Sequence, residues 1–181
     1  MEINFRARCI DSTNIRKITP LLKKNVARPV SFIEFNTSEK NDIKVLKKVA
    51  KDWKDSAFAK RIYELAKSKP DKKIFAITKQ NSDFENINHK DILSLTLLTK
   101  EYPKKYCIDF LETKPEYQQE NKSRKYKRIG SRTLHCLKKH YIDSSIKVNY
   151  LYSKIEFYMN NGFDFEDSIF GDLVWQAPDR K

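Results

Sequence analysis

Three strand-like runs follow one another in the middle of the chain: "KIFAITKQ" (73–80), "DILSLTLLTK" (91–100) and "KKYCIDFLET" (104–113). Polar stretches with Asn, Asp and Pro separate them, which predicts an antiparallel meander. Two helices are predicted ahead of it. "NDIKVLKKVAKDW" (41–53) sets Ile43, Leu46, Val49, Ala50 and Trp53 at three- and four-residue steps, one apolar stripe on a helix whose other side is lysine. Over 56–68, Ser56 is placed to cap, and Phe58, Ile62, Leu65 and Ala66 form the face to be buried. At the N-terminus "INFRARCI" (3–10) predicts a strand and "DSTN" a turn or helix cap. Between 13 and 35, "ITPLLKKN" suits a short helix, and "VSFIEFN" a strand or an irregular connector.

Beyond the meander, "KPEYQQENKSRKYK" (114–127) is rich in charge and poor in aliphatics, and predicts a loop. Next, Leu134, Leu137 and Tyr141 recur at helical spacing with Ile129 and Thr133 above them, while Arg132, His135, Lys138 and Lys139 point elsewhere. Gly130 therefore opens an amphipathic helix. A strand (145–152), a short helix (153–162) ending at Gly162, and a closing strand (171–178) complete the pattern. No internal repeat is visible.

At 181 residues with 39% hydrophobic content, the chain suits one globular domain. Lys and Arg outnumber Asp and Glu by 37 to 24, a net charge of +13, which favours polyanions: RNA, anionic lipid or a phosphorylated cofactor. Cys9, Cys107 and Cys136 are odd in number and not closely spaced, so neither a disulfide framework nor a Cys-type zinc site is expected. A Cys-x-x-x-His pair with His135 and His140 on the same helix supplies too few ligands for a metal, and His89 stands alone in a turn. The opening stretch has no apolar h-region and no window holds about 18 uninterrupted apolar residues, so no signal peptide or membrane span is expected and the location is taken as cytoplasmic.

A helix start exposes unpaired N–H groups and a partial positive charge, so the turn at Arg128–Ser131 suits an anion, and Gly130 would let a phosphate approach the backbone. The order of elements here resembles the GNAT-type N-acetyltransferases. That family's strand-loop-helix motif, Leu-x-Val-x-Pro then Gln/Arg-x-x-Gly-x-Gly/Ala, is matched by Leu111-Glu112-Thr113-Lys114-Pro115 and by Lys125-Tyr126-Lys127-Arg128-Ile129-Gly130. Its later signature, Phe/Leu-Tyr-x-x-x-Gly-Phe, stands as Phe157-Tyr158-Met159-Asn160-Asn161-Gly162-Phe163. Thr113 replaces Val, Lys125 replaces Gln or Arg, and Arg128 replaces the first Gly; a residue in an ordinary helical conformation still offers its N–H there.

The resemblance implies an α/β fold, more strictly α+β: a mixed, mostly antiparallel central sheet of about six or seven strands with helices on both faces. A single domain, 1–181, would divide into an N-terminal strand and acceptor-side helices (1–70), and the sheet, acetyl-coenzyme A site and C-terminal strands (71–181). The pantetheine arm would lie between splayed strands at 108–113, with Leu111 and Thr113, and 146–151. The pyrophosphate would meet the N–H groups of Arg128, Ile129, Gly130, Ser131 and Arg132, with Lys125 and Lys127 adding charge. Tyr158 would be the phenol that returns a proton to the leaving thiolate, or simply a core residue packed beside Ile155. Glu112 or Asp109 would be the general base. Strand alternation sends those two to opposite faces, so at most one is expected in the site.

Acetyl-coenzyme A is thus the expected cofactor, with no metal, and an amine-bearing small molecule, protein or aminoacyl-tRNA is the acceptor of a monomer or homodimer. Two other readings compete. The chain could be a nucleic-acid-binding protein whose loop 114–128 and helix 129–141 contact RNA, with Tyr117 and Tyr126 free to stack. Or it could be a degenerate member of the fold that no longer catalyses.

Overall fold

The computed structural model describes residues 6–19, 24–54, 56–68, 72–79, 84–118, 120–148, 154–166 and 171–178. Among these residues nine strands form one sheet in the order β6-β1-β2-β3-β4-β5-β7-β9-β8. The strands are β1 (Arg8–Thr19), β2 (Lys24–Phe35), β3 (Lys73–Thr78), β4 (Ile92–Tyr102), β5 (Lys105–Thr113), β6 (Tyr126–Lys127), β7 (Ser145–Val148), β8 (Asp164–Phe165) and β9 (Leu173–Gln176). The helices are α1 (Lys40–Asp52), α2 (Ala57–Ser68), α3 (Ile129–His140) and α4 (Ile155–Met159). Every pairing is antiparallel except that of β5 with β7. The mixed, mostly antiparallel sheet is as expected, and the strand count exceeds expectation because the two-residue strands β6 and β8 are too short to leave a pattern.

Alternation along the strands divides the core in two. Phe32, Phe75, Ile77 and Ile108 face a cluster closed by Ile129, Leu134 and Leu137 of α3 and Tyr158 of α4. Ile33, Ile74, Ala76, Leu95 and Leu97 face a second cluster closed by Leu46, Val49 and Trp53, with Ala59 and Ile62 of α2. Helices therefore cover both faces of the sheet. Each cluster puts side chains into close contact on a face that no single element could bury alone.

The N-terminal third departs from expectation. "DSTN" is no turn: Asp11–Asn14 lie within β1, and Cys9 and Asp11 flank a bulge in its ladder with β2. The stretch expected as a short helix is in part strand, since Ile18 and Thr19 pair with Asn25 and Lys24; residues 3–5 and 20–23 lie outside the described residues. Ile15 and Val30 explain the outcome, because each is buried against the α3 side and holds the long ribbon to the core. No helix among the described residues is long and apolar enough to cross a membrane.

Candidate active site

The parallel ladder between β5 and β7 runs from Lys105↔Ser145 to Ile108↔Val148. Beyond it, β5 continues to Thr113 with β4 as its partner, through Leu95↔Glu112 and Ser94↔Thr113. Residues 149–153 lie outside the described residues, so the expected second lip, 146–151, is seen through Val148. A cavity of about 1030 Å³ opens along Asp109–Thr113. Phe58, Arg61 and Leu65 of α2 wall one side; Ile129, Gly130 and Ser131 with Phe157 and Tyr158 wall the other.

Both carboxylates reach this cavity, against the expectation from alternation. The β4–β5 register passes from Leu97↔Phe110 to Leu98↔Ile108, leaving Asp109 as the extra residue of a β-bulge. The bulge shifts the period by one. Their partners nevertheless differ. Asp109 accepts from Lys72 Nζ at 3.3 Å and from the Thr99 hydroxyl, and is held in an ion pair. Glu112 accepts from the Ser56 hydroxyl, from Ala59 N–H at 3.2 Å and from Gln118 Nε2 at 3.5 Å, and forms no ion pair among the described residues. Burial raises its carboxyl above the ordinary range, partly offset by those donors. Ser56 also accepts from Ala59 N–H at 2.8 Å, so the cap of α2 and the site carboxylate form one network.

At the opposite wall, Arg128 stands at the N-cap of α3 with φ 64° and ψ 21°. That is the left-handed region, not an ordinary helical conformation as expected, and it is the geometry for which glycine is favoured. No side chain caps the helix. Arg132 N–H donates to Arg128 O at 3.0 Å, so it is the first closed turn and not a free donor as expected. The N–H groups of Ile129, Gly130 and Ser131 precede that turn without an intrahelical partner. Gly130 also has a packing reason: a Cβ there would lie 3.1 Å from Phe157 Cζ and 3.6 Å from Thr113 Oγ1.

Around this turn, Lys127 and Arg128 line the cavity together with Arg124 and Lys154, while Lys125 is exposed and lies over the Tyr126 ring. Tyr158 borders the same cavity with its ring between Phe157 (5.1 Å) and Phe163 (5.6 Å). Burial pushes its phenol up to about 12, so it keeps its proton through the neutral range. The expectation for two stacking tyrosines fails: Tyr126 is buried and meets Tyr117 edge-on at 5.0 Å. His89 is not alone in its turn, since Nε2 lies 3.0 Å from Asp52 of α1. Cys136 is buried, and desolvation pushes its thiol up to about 12.

No family model matches the chain, and no curated protein does. Among solved structures, a GNAT-family protein from Desulfovibrio desulfuricans superposes with a TM-score of 0.51, at 13% identity, over 82% of this chain and 99% of that one. The fold is that of the GNAT acetyltransferases. The Campylobacter jejuni N-acetyltransferase PseH (TM-score 0.47, 15% identity, 80% and 94% of the two chains) and a GNAT-family acetyltransferase from Staphylococcus aureus (0.45, 15%, 82% and 99%) are also similar.

Within this GNAT fold a second cavity of about 1020 Å³ adjoins the first, sharing Arg128, Ser131, Lys154 and Phe157 and extending to Arg132, His135 and Lys138. The site residues that escaped sequence reasoning include Arg61, Gln118, Lys154 and Phe157. Arg61 follows Phe58 by three residues and precedes Leu65 by four, so helical spacing already placed it on their face. Phe157 was part of the quoted signature. Gln118 had no signal, because it reaches the site from a segment without periodicity, and Lys154 stands at the start of the short helix predicted over 153–162, where a lone lysine marks no role.

Proposed function

We propose that this chain is an acetyl-coenzyme A-dependent N-acetyltransferase acting by direct attack of an amine on the thioester. The observation that carries the proposal is convergence: one cavity receives the strand edge 109–113, the free amides of Ile129–Ser131, the raised carboxylate of Glu112 and the protonated phenol of Tyr158. The cofactor fits those residues. Helix-start amides with Lys127 and Arg128 suit its diphosphate, and the edge of β5 beyond Ile108 suits an extended arm that hydrogen-bonds like a strand.

Bound acetyl-coenzyme A supplies the activated acetyl group. Glu112 takes the proton of the acceptor ammonium, directly or through water, since only the free amine has a lone pair. Asp109 is the weaker candidate because Lys72 holds it as an ion pair. Tyr158 donates its proton to the leaving sulfur and regains one from solvent. The acceptor enters beside α2, where Phe58 packs on Phe110 with ring centroids 5.2 Å apart.

Thiol release from acetyl-coenzyme A over a panel of amines tests this. Glu112→Gln, which keeps the bonds from Ser56 and Ala59, is expected to lower kcat by about 10²–10⁴-fold. Asp109→Asn should lower it less than about tenfold, and Tyr158→Phe should slow turnover without removing it. In the wild type, kcat rises with pH as Glu112 loses its proton. If acetyl-coenzyme A binds but no amine provokes thiol release, a non-catalytic member of the fold is the correct description.

A further inference from the structure

The net charge of +13 has an address. Segments 12–33 and 121–142 together contain thirteen Lys and Arg and no Asp or Glu, while the rest of the chain contains 24 residues of each sign. The fold joins these two acid-free segments. β6 pairs with β1 through Arg16↔Lys127 and Lys17↔Tyr126, and Ile18 N–H donates to Lys125 O at 2.8 Å. Arg16 and Lys127 thus occupy directly opposed positions on one face, where like charges destabilise a strand pair.

Nothing among the described residues relieves that repulsion. Arg16, Lys17, Arg28, Lys122, Lys125, Lys127 and Arg128 form no ion pair, whereas bases elsewhere do: Arg8 and Lys73 with Glu34, Lys79 with Asp91, Lys147 with Glu101 and Asp172. Lys127 and Arg128 border the candidate cofactor cavity, but Arg16, Lys17, Arg28 and Lys122 lie outside it. A single diphosphate ligand therefore accounts for only part of the surface. The β1–β2 ribbon is 12 residues long on each side, roughly 40 Å, which calls for an extended polyanion.

We propose that the β1–β2 ribbon and the 121–128 loop bind the phosphate backbone of a nucleic acid. This goes beyond acetyl transfer and does not depend on it. Recognition is sequence-independent: Tyr126, the one tyrosine of the loop, is packed edge-on against Tyr117, so phosphate contact replaces base stacking. A membrane surface fits less well, because Val26 is the one exposed large apolar side chain described in these segments outside Ile142, and interfacial binding needs a buried apolar face.

Fluorescence anisotropy with a labelled single-stranded RNA tests the proposal. Affinity is expected to fall by about 300-fold between roughly 50 and 200 mM salt if about six phosphates of the single strand are contacted. Arg28→Glu/Lys122→Glu should weaken binding at least tenfold and flatten the log–log salt slope by about 1.4, from about 0.7 per single-strand phosphate contact. Lys47→Glu/Lys48→Glu, an equal charge change on α1, should leave RNA affinity within about twofold. Thermal melts confirm that each variant folds, and acetyl-coenzyme A calorimetry on each reads the other site separately. The proposal is overturned by no RNA binding at low salt, by equal losses in both double variants, or by uptake on phosphatidylglycerol vesicles without RNA binding.

Discussion

Arg128 concentrates the chemistry of the site in one backbone conformation. The left-handed region costs an L-residue roughly 1–2 kcal/mol, and glycine escapes that cost while losing roughly 0.5–1 kcal/mol more chain entropy on folding. Arg128→Gly is therefore expected to stabilise the protein by about 0.5–1 kcal/mol in chemical denaturation, with the turn amides still in place and acetyl-coenzyme A still bound. A destabilised variant would show that the guanidinium supports the fold. The motif position of Arg128 was legible in the sequence, but its φ was not, because the loop before it has no local pattern. Gly130 was legible as necessary, yet the Phe157 ring that sits against it comes from 27 positions downstream.

At the level of elements, legibility followed periodicity. α1, α2 and α3 have strong apolar stripes, and the meander β3–β4–β5 has alternation bounded by turns; all were found nearly to the residue. The β1–β2 ribbon was not, since its outer half has no core to face and so has no alternation to read. The bulge at Asp109 was hidden for a related reason: an extra residue in one strand is visible only against its partner's register. α1 offers its own test. Asp42, buried in its first turn, accepts from Asn36 N–H at 2.8 Å, and burial, partly opposed by that bond, pushes its carboxyl up to about 6. Its folded pKa lies above the unfolded value near 4, so the stability it contributes is present below about pH 4 and is lost as pH rises through about 6. The stability difference between wild type and Asp42→Asn should therefore decline across that window and be flat above about pH 7. A flat difference throughout would mean that the Asp42 carboxyl titrates alike in the folded and unfolded chains.

For the molecule as a whole, the Asp109–Thr113 stretch of β5 and the start of α3 line one cavity, and this juxtaposition is the basis of the proposed acyl transfer. Isothermal titration calorimetry with acetyl-coenzyme A at low salt tests it most directly. Micromolar binding is the expected result. Gly130→Glu and Ser131→Glu should both abolish it by placing a carboxylate against the diphosphate. Ser131→Glu should do so with an undiminished melting temperature, since an acid in the first turn suits a helix. Absence of binding to the wild type, or unchanged binding to a folded Ser131→Glu protein, would contradict the assignment.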